Sequence, residues 1–215
     1  MLYAIGRGMQ RHQRLLAKLI GYLEPLSRVM VTYPEKDQSV AARYARAIAY
    51  FRVSRTEEAL ASMDSLLAEA PNDPFFIEQK AQILYDRGRL ADALPLYQQA
   101  LDLAPQEALI RMELAETQVG LEDPNLLAPA ISNLSEVVRV EPKNSRAFHL
   151  LATAYGRSGD APMADLAQAE ESLARGRTRE AKAFAERALK GLKEGSPGWL
   201  KAQDIQFAAD QAEDD

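Results

Sequence analysis

The chain has 215 residues, of which 47% are hydrophobic and 27% charged, a composition that predicts a globular protein and not a disordered one. Its formal net charge of −5 argues against nucleic-acid binding, which requires a basic surface. Cysteine is absent, which excludes disulfides, thiolate metal ligands and cysteine nucleophiles. No segment reaches the roughly 18 apolar residues that a membrane-spanning helix needs, so no span is expected.

The first 37 residues lack the pattern of the rest and are predicted to form an N-terminal helical cap. An amphipathic helix is expected over about Arg7–Leu23, followed by a short helix that ends at Tyr33-Pro34. Lys18 interrupts the apolar run and no small-residue cleavage site follows, which favours a helix over a signal peptide. We expect this cap to pack on the first repeat. Exchange of the helix between two copies is the alternative, so the oligomeric state stays open.

From about residue 38 the sequence repeats itself. The small residue that opens one helix and the proline that ends each unit both recur after 34 and then 37 positions: Ala59, Ala93 and Ala130, with Pro71, Pro105 and Pro142. Apolar residues also recur at i, i+3, i+4 and i+7, and no segment alternates as a strand does. Such a period is typical of stacked helix–turn–helix repeats, which bind partners through an extended surface.

Helix ends are marked by local signals. Asp73, Asp123 and Ser196 each stand directly before a proline, which predicts a capping side chain followed by proline in the first helical turn. Gly88 and Gly159 are placed where a helix ends in a left-handed residue. We therefore expect about a dozen helices and no sheet.

The repeat units resemble the tetratricopeptide repeat. The second unit carries the pattern most fully, with Ala81, Leu84, Gly88, Ala93, Tyr97, Ala100, Leu101 and Pro105. The resemblance implies an all-α, right-handed α-solenoid over residues 38–215, with units at about 40–73, 74–107, 108–144 and 145–175, a degenerate fifth at 160–193 and a capping helix at 197–212. Arg46 departs from the pattern, and we expect its aliphatic stem to lie along a neighbouring helix.

The segments that flank the repeats are more specific than the repeat. They are Tyr33-Pro34, the run from Ala42 to Tyr50, Ala169-Glu170-Glu171 with Arg175-Gly176, and the run from Gly195 to Ile205. Together they resemble the C-terminal tetratricopeptide region of bacterial periplasmic zinc metalloproteases similar to the β-barrel assembly-enhancing protease. The resemblance implies a periplasmic parent with its signal upstream of this chain. It also implies protein or peptide partners: the parent's own peptidase domain, outer-membrane proteins or their assembly machinery.

The catalytic motif of those proteases is absent from this chain. An HExxH zinc site needs two histidines four residues apart, and the only histidines here are His12 and His149. We therefore predict no catalytic residue, metal site or cofactor in this chain, with zinc confined to the peptidase domain of the parent. The adjacent carboxylates Glu57-Glu58 and Glu170-Glu171 do not share a helix face and are interpreted as solvated surface.

Fixed positions on the first helix of each unit are predicted to line a partner-binding groove. Carried over from the repeat pattern, they are Tyr44, Ile48, Phe51, Phe75, Glu78, Gln82, Tyr85, Met112, Glu116, Val119, Arg146, His149, Thr153 and Arg157. The first three units supply aromatic and apolar side chains, and the fourth supplies a basic end in which Arg146 and Arg157 are available for an acidic group. Tyr44 and Ile48 replace the lysine and asparagine of a carboxylate clamp, so that clamp is absent. The alternative is that half of these side chains pack against neighbouring helices, and His149 is expected to be structural or solvent-facing.

Two functions stay open. The first is a substrate-recognition scaffold of a periplasmic zinc protease involved in outer-membrane protein quality control. The second is a free-standing adaptor that assembles a cytosolic or periplasmic complex, since the same repeat serves many functions. An enzyme in its own right is disfavoured, because the sequence has no histidine cluster, cysteine, phosphate loop or nucleophile elbow.

Overall fold

The computed structural model describes the backbone from Leu2 to Asp214 and the side chains of residues 12–211. Twelve helices and no strand occur in this described part, which confirms the all-α prediction. The chain divides into two compact units, Met1–Leu103 and Ala104–Asp215. The separation into a cap over 1–37 and a solenoid over 38–215 stays a prediction, because these units divide the chain elsewhere.

The first unit contains six helices. They are α1 (Leu2–Leu23), α2 (Leu26–Thr32), α3 (Val40–Arg52), α4 (Thr56–Glu69), α5 (Pro74–Tyr85) and α6 (Leu90–Leu103). The helices α3 and α4 pack as one hairpin and α5 and α6 as a second, while α1 and α2 both contact α3. The backbone of α1 begins five residues before the expected start at Arg7, and the Arg7 side chain lies outside the described residues.

The second unit also contains six helices. They are α7 (Ala108–Gly120), α8 (Pro124–Val140), α9 (Ser145–Ser158), α10 (Ala161–Ala174), α11 (Thr178–Gly191) and α12 (Pro197–Asp214). The helix α10 packs against both α9 and α11, so one helix takes part in two successive hairpins. The final helix, α12, packs on α11 and α10 and buries Ala202 and Ile205 there.

The alanines that define the repeat lie where paired helices touch. Ala59, Ala93 and Ala130 have no exposed surface. A methyl side chain at the contact lets two helix axes approach closely, since interaxial distance depends on the side chains between them. The period seen in the sequence therefore reflects helix–helix packing.

The predicted helix ends are also present. The carboxylate of Asp73 accepts a first-turn amide at 3.1 Å, that of Asp123 accepts one at 2.9 Å, and the hydroxyl of Ser196 accepts one at 3.3 Å. Gly88 and Gly159 have φ values of 74° and 85°, in the left-handed region that glycine adopts without strain. These local signals were sufficient to place both kinds of helix boundary.

Arg46 makes hydrogen bonds that the sequence did not predict. Its side chain is buried, and Nη1 donates to the carbonyl oxygens of Tyr33, Pro34 and Asp37 at 3.2, 2.8 and 2.8 Å. The turn between α2 and α3 presents carbonyl groups that need donors, and the guanidinium donates to three of them. The expected course of the aliphatic stem along a neighbouring helix stays a prediction. Arg46 thus fixes the connection between the N-terminal helices and the first hairpin.

Candidate functional site

In the first compact unit, Met1–Leu103, several of the predicted partner-binding positions face α1. Tyr44 and Ile48 on α3 are 2% and 0% exposed, and Glu78 on α5 is 2% exposed. The N-terminal helix lies along α3 and reaches α5 through polar side chains, so it occupies the face where a partner was expected. We call this face the α1-binding groove and define it by Tyr44, Ile48, Asp73, Glu78, Gln79 and Gln82.

Two ion pairs hold α1 on this groove. Arg14 Nη1 and Nη2 donate to the two carboxylate oxygens of Asp73 at 2.7 and 2.9 Å. One turn later, Lys18 Nζ lies 3.5 Å from Glu78 Oε2. Residues four apart lie on the same side of a helix, so both cations of α1 point to the same helix, α5. The guanidinium of Arg14 also lies 4.3 Å from the ring centre of Phe76.

Hydrogen bonds continue this contact to the end of α1. The hydroxyl of Tyr22 donates to Gln82 Oε1 at 2.9 Å and accepts from Gln79 Nε2 at 3.0 Å. Arg52, at the end of α3, donates to the carbonyl oxygens of Gly21 and Glu24 at 3.3 and 2.8 Å. These donors satisfy carbonyl groups that the last turn of a helix leaves without partners.

Gly21 sets the closest approach between α1 and α3. A Cβ atom added to this glycine would lie 2.9 Å from the carbonyl oxygen of Ala45 and 2.9 Å from Ile48 Cβ. Both distances are too short for carbon, so any larger residue would push the two helices apart. The glycine is therefore required by the close contact and not by a special backbone angle.

The fit of α1 to its groove is incomplete at the other end. A pocket of about 380 Å³ opens there and is lined by His12, Arg14, Leu15, Lys18, Tyr44 and Phe75. The buried hydroxyl of Tyr44 has no hydrogen-bond partner in the described part of the chain. Burial raises the pKa of Tyr44, so this hydroxyl stays protonated at neutral pH and is available as a donor.

Glu78 is the buried acidic group of the groove. Desolvation raises the pKa of its carboxyl, and the nearby Lys18 ammonium opposes that shift without cancelling it. A buried carboxylate costs free energy unless a cation or hydrogen-bond donors compensate it. The groove therefore favours a helix that brings a positive charge to Glu78.

The other residues predicted to bind a partner in the first compact unit are more accessible to solvent. Phe51, Phe75 and Tyr85 are partly buried. Arg87 lies 5.6 Å from the ring centre of Phe51 and donates to its carbonyl oxygen at 2.9 Å. Of the aromatic positions assigned to this unit, these three are the ones that an outside segment can reach while α1 is in place.

In the second compact unit, Ala104–Asp215, the basic end predicted for the fourth repeat is engaged by neighbouring side chains. Arg146 makes an ion pair with Glu116, and Arg157 donates to the Val119 carbonyl at 2.6 Å and to Glu122 at 3.2 Å. The expectation that these arginines are available for an acidic partner is therefore corrected: a partner has to compete with the chain's own oxygen atoms. Met112 and Val119, expected to line the groove, are buried, and Thr153 is partly buried.

His149 is solvent-facing, as expected, and stands beside an acidic residue. Its Nδ1 lies 3.1 Å from Glu171 Oε2, and Glu171 Oε1 receives Arg175 at 3.0 Å. Glu171 is only 8% exposed, so its interpretation as solvated surface was wrong. The helix α10 buries this position because it packs between α9 and α11, a consequence of the shared hairpin. Glu57 and Glu58 are exposed, in agreement with the sequence.

The described residues give no support to a metal site or a membrane span. Within this part of the chain, no three His, Asp or Glu side chains converge in a way that suits a metal ion. Among the helices described above, none combines the length and apolar character of a membrane span.

Comparison with known proteins identifies the repeats. Residues 34–74 and 79–123 match the family model described as Tetratricopeptide repeat. Among solved structures, MamA from Desulfovibrio magneticus superposes with a TM-score of 0.59 at 17% identity, covering 80% of this chain and 93% of that one. YrrB, titled a TPR protein with an unusual peptide-binding site, has a TM-score of 0.56 at 16% identity and covers 91% and 90%. The all-α tetratricopeptide fold is thus confirmed.

Curated relatives match shorter stretches. An inactive TPR repeat-containing thioredoxin of Arabidopsis thaliana is 33% identical over 44% of this chain and 13% of its own length. The β-barrel assembly-enhancing protease of Yersinia pestis is 27% identical over 64% of this chain and 27% of its own length. The chain therefore spans about a quarter or less of these relatives. Tetratricopeptide repeats are protein-interaction scaffolds, and that coarser function is supported directly.

The occupation of the groove by α1 was not foreseen. The sequence does carry a signal for it: Arg14, Lys18 and Tyr22 recur every four residues, so they form one polar stripe beside Gly21. Asp73, Gln79 and Arg52, which hold this stripe, were not assigned to the site. The partners of Asp73 and Gln79 lie 59 and 57 positions away along the chain and those of Arg52 lie 31 and 28 positions away, so no local pattern connects them.

Proposed function

We propose that this chain is the substrate-recognition scaffold of a periplasmic zinc metalloprotease that acts in outer-membrane protein quality control. The observation that carries the proposal is the match to the β-barrel assembly-enhancing protease over 64% of this chain, together with the flanking segments that resemble that family. In such a protein the peptidase zinc lies outside this chain, whose described side chains offer no metal-binding cluster.

The recognition surface proposed for protein segments is the accessible part of the first unit. Phe51, Phe75 and Tyr85 supply apolar area that remains partly exposed beside α1. Aromatic side chains are favoured at binding surfaces because they bury a large area at a small cost in conformational entropy.

The test uses this chain and a fluorescent outer-membrane barrel polypeptide kept unfolded in dilute urea. Replacing Phe51, Phe75 and Tyr85 with Ser is expected to weaken its binding at least tenfold in fluorescence anisotropy. The matched control replaces Leu200 and Phe207, which are 49% and 65% exposed on α12, and is expected to leave binding unchanged. Equal loss in both variants would contradict the assignment of this surface.

The alternative function is a free-standing adaptor. It is supported by the likeness to YrrB, a solved tetratricopeptide protein with an unusual peptide-binding site, of which this chain covers 90%. An adaptor is expected to bind an unfolded cytosolic polypeptide as tightly as the barrel polypeptide. A scaffold of the proposed protease is expected to prefer the barrel polypeptide, so one competition experiment separates the two functions.

A further inference from the structure

We propose that the α1-binding groove is an exchangeable helix-binding site, in which a basic amphipathic helix of a partner takes the place of α1. The inference deepens the proposed function, on which it rests, because it names the kind of segment that this scaffold recognises. The partner helix carries two basic residues four positions apart and a glycine or alanine three positions after the second. This is the spacing of Arg14, Lys18 and Gly21.

The charges of the groove select such a helix. Asp73 and Glu78 receive Arg14 and Lys18 of α1, and a helix without these cations leaves Glu78 buried and uncompensated. The chain between Leu2 and Leu23 contains no acidic residue. The charged residues of α1 are therefore all basic. The acidic groove favours partner helices that are also positively charged.

Several large apolar side chains of α1 contribute little to its contact with the groove. Leu15, Leu16, Leu19 and Leu23 are 59%, 45%, 48% and 75% exposed, while the buried Ala17, the close approach of Gly21 to α3 and the partly buried Ile20 and Tyr22 join α1 to the core of the first unit. Burial of large apolar side chains is the main driving force for packing a helix onto a protein. A helix that leaves four leucines exposed gains less from staying in place than one that buries them, and a competing helix of the same pattern replaces its polar contacts one for one.

The groove also has unused binding capacity while α1 occupies it. The pocket of about 380 Å³ is lined by Arg14, Lys18 and Tyr44 among others, and the buried hydroxyl of Tyr44 has no hydrogen-bond partner in the described part of the chain. A buried donor without an acceptor is costly, and natural structures seldom retain one without reason. A partner helix with a longer polar side chain at this place fills the pocket and accepts from Tyr44, which gives it an advantage over α1.

The experiment asks whether the groove of the full chain binds its helix from solution. The probe is a fluorescein-labelled peptide with the sequence of residues 9–24. In the chain variant Gly21→Val, the new side chain collides with Ala45 and Ile48 and lifts α1 from the groove. We expect the peptide to bind this variant at least tenfold more tightly than the wild type, because an occupied groove lowers the apparent affinity.

Two controls give the test its specificity. The chain variant Gly156→Val places the same side chain at an exposed position of α9, where an added Cβ meets no atom of a neighbouring element within 4 Å, and is expected to bind the peptide as weakly as the wild type. A peptide with Ala in place of Arg14 and Lys18 is expected to bind the Gly21→Val chain at least tenfold more weakly than the parent peptide. Equal binding of both peptides would overturn the charge argument and with it the proposal.

A second chain variant keeps the test valid if Gly21→Val fails to fold. Replacing Arg14 and Lys18 with Ala in the chain loosens α1 without altering any groove residue, and the parent peptide is again expected to bind more tightly than to the wild type. If both variants lose cooperative unfolding, or fold without binding the peptide, α1 is an integral part of the fold and the proposal is overturned. Binding of the unfolded barrel polypeptide to Phe51, Phe75 and Tyr85 is measured separately, so the proposed function can survive that outcome.

Discussion

The guanidinium of Arg14 bonds both carboxylate oxygens of Asp73, at 2.7 and 2.9 Å, and so joins the N-terminal helix to the start of α5. Asp73 Oδ1 also accepts the amides of Phe75 and Phe76 and thereby caps that helix. A single carboxylate thus begins a helix of the second repeat and anchors α1 on the groove. Asp73 therefore has two roles: it caps α5 locally and it binds Arg14 from a distant part of the chain.

Arg14→Ala is expected to lower the free energy of unfolding by about 2 kcal/mol, because a partly buried, bidentate, charge-assisted pair is lost. Urea denaturation followed by circular dichroism measures the change. The matched control is Arg89→Ala, which removes an exposed pair with Asp92 at i,i+3 and is expected to cost less than about 0.5 kcal/mol. Similar losses in the two variants would contradict a special role for Arg14.

Alanine substitution at two glycines is expected to have opposite effects. Gly21→Ala destabilises the protein by about 1–3 kcal/mol, because the added Cβ collides with α3 backbone and side-chain atoms. Gly156→Ala stabilises it by roughly 0.5–1 kcal/mol, because the position is open and alanine favours the helix. Thermal melting of both variants tests the sign, and stabilisation by Gly21→Ala would refute the close contact.

Removing the hydroxyl of Tyr22 and that of Tyr44 is expected to change stability differently, because only the first is hydrogen-bonded. Tyr22→Phe loses the hydrogen bonds to Gln79 and Gln82 and is expected to cost about 1–2 kcal/mol. Tyr44→Phe removes a buried hydroxyl without a partner and is expected to leave stability unchanged or raise it. Chemical denaturation compares the two, and a clear loss for Tyr44→Phe would indicate that its hydroxyl is bonded in solution.

The pH dependence of stability follows from Glu78. Burial raises the pKa of its carboxyl in the folded protein, so the folded state binds more protons than the unfolded state above the ordinary glutamate pKa of about 4.3. The contribution of Glu78 to stability is thus fully present below that pH and is lost as the pH rises through the raised pKa. Relative to Glu78→Gln, the wild type is expected to lose free energy of unfolding over this interval.

Glu69 is the matched control for that titration. Its exposed carboxylate accepts a hydrogen bond from Arg43, which lowers the pKa, so any pH dependence relative to Glu69→Gln has the opposite sign and lies in the acid range. Denaturation curves for the wild type and both variants between about pH 3 and pH 8 decide the matter. A free-energy difference for Glu78→Gln that does not change with pH would contradict the raised pKa.

Arg46→Met is expected to lower the free energy of unfolding by about 2–4 kcal/mol, since three carbonyl groups of the turn between α2 and α3 each lose the hydrogen bond from Arg46 and only that of Pro34 keeps another, from the amide of Asp37. Arg139→Met is the control, because its exposed pair with Glu136 contributes little. Hydrogen exchange is expected to show faster opening of α2 in the Arg46 variant. Unchanged exchange in α2 would indicate that the turn is held by other contacts.

The sequence by itself determined the secondary-structure elements of this protein and the period at which they repeat. Helix positions follow from apolar periodicity and from caps such as Asp73, Asp123 and Gly88, which act within a few residues. The repeat period followed from Ala59, Ala93 and Ala130, because close helix packing allows only a small side chain there. Interactions of this short range are readable from one sequence, and they were sufficient for the fold class.

Only the tertiary structure decided what occupies the predicted groove. Tyr44 and Ile48 fit the pattern of a partner surface, yet they lie beneath α1 because Arg14 and Tyr22 find Asp73 and Gln82 some sixty residues along the chain. Glu171 is likewise buried through the packing of α10 between two neighbours. Periodicity specifies which face of a helix is apolar or polar, but the element that covers that face depends on how distant segments meet in three dimensions.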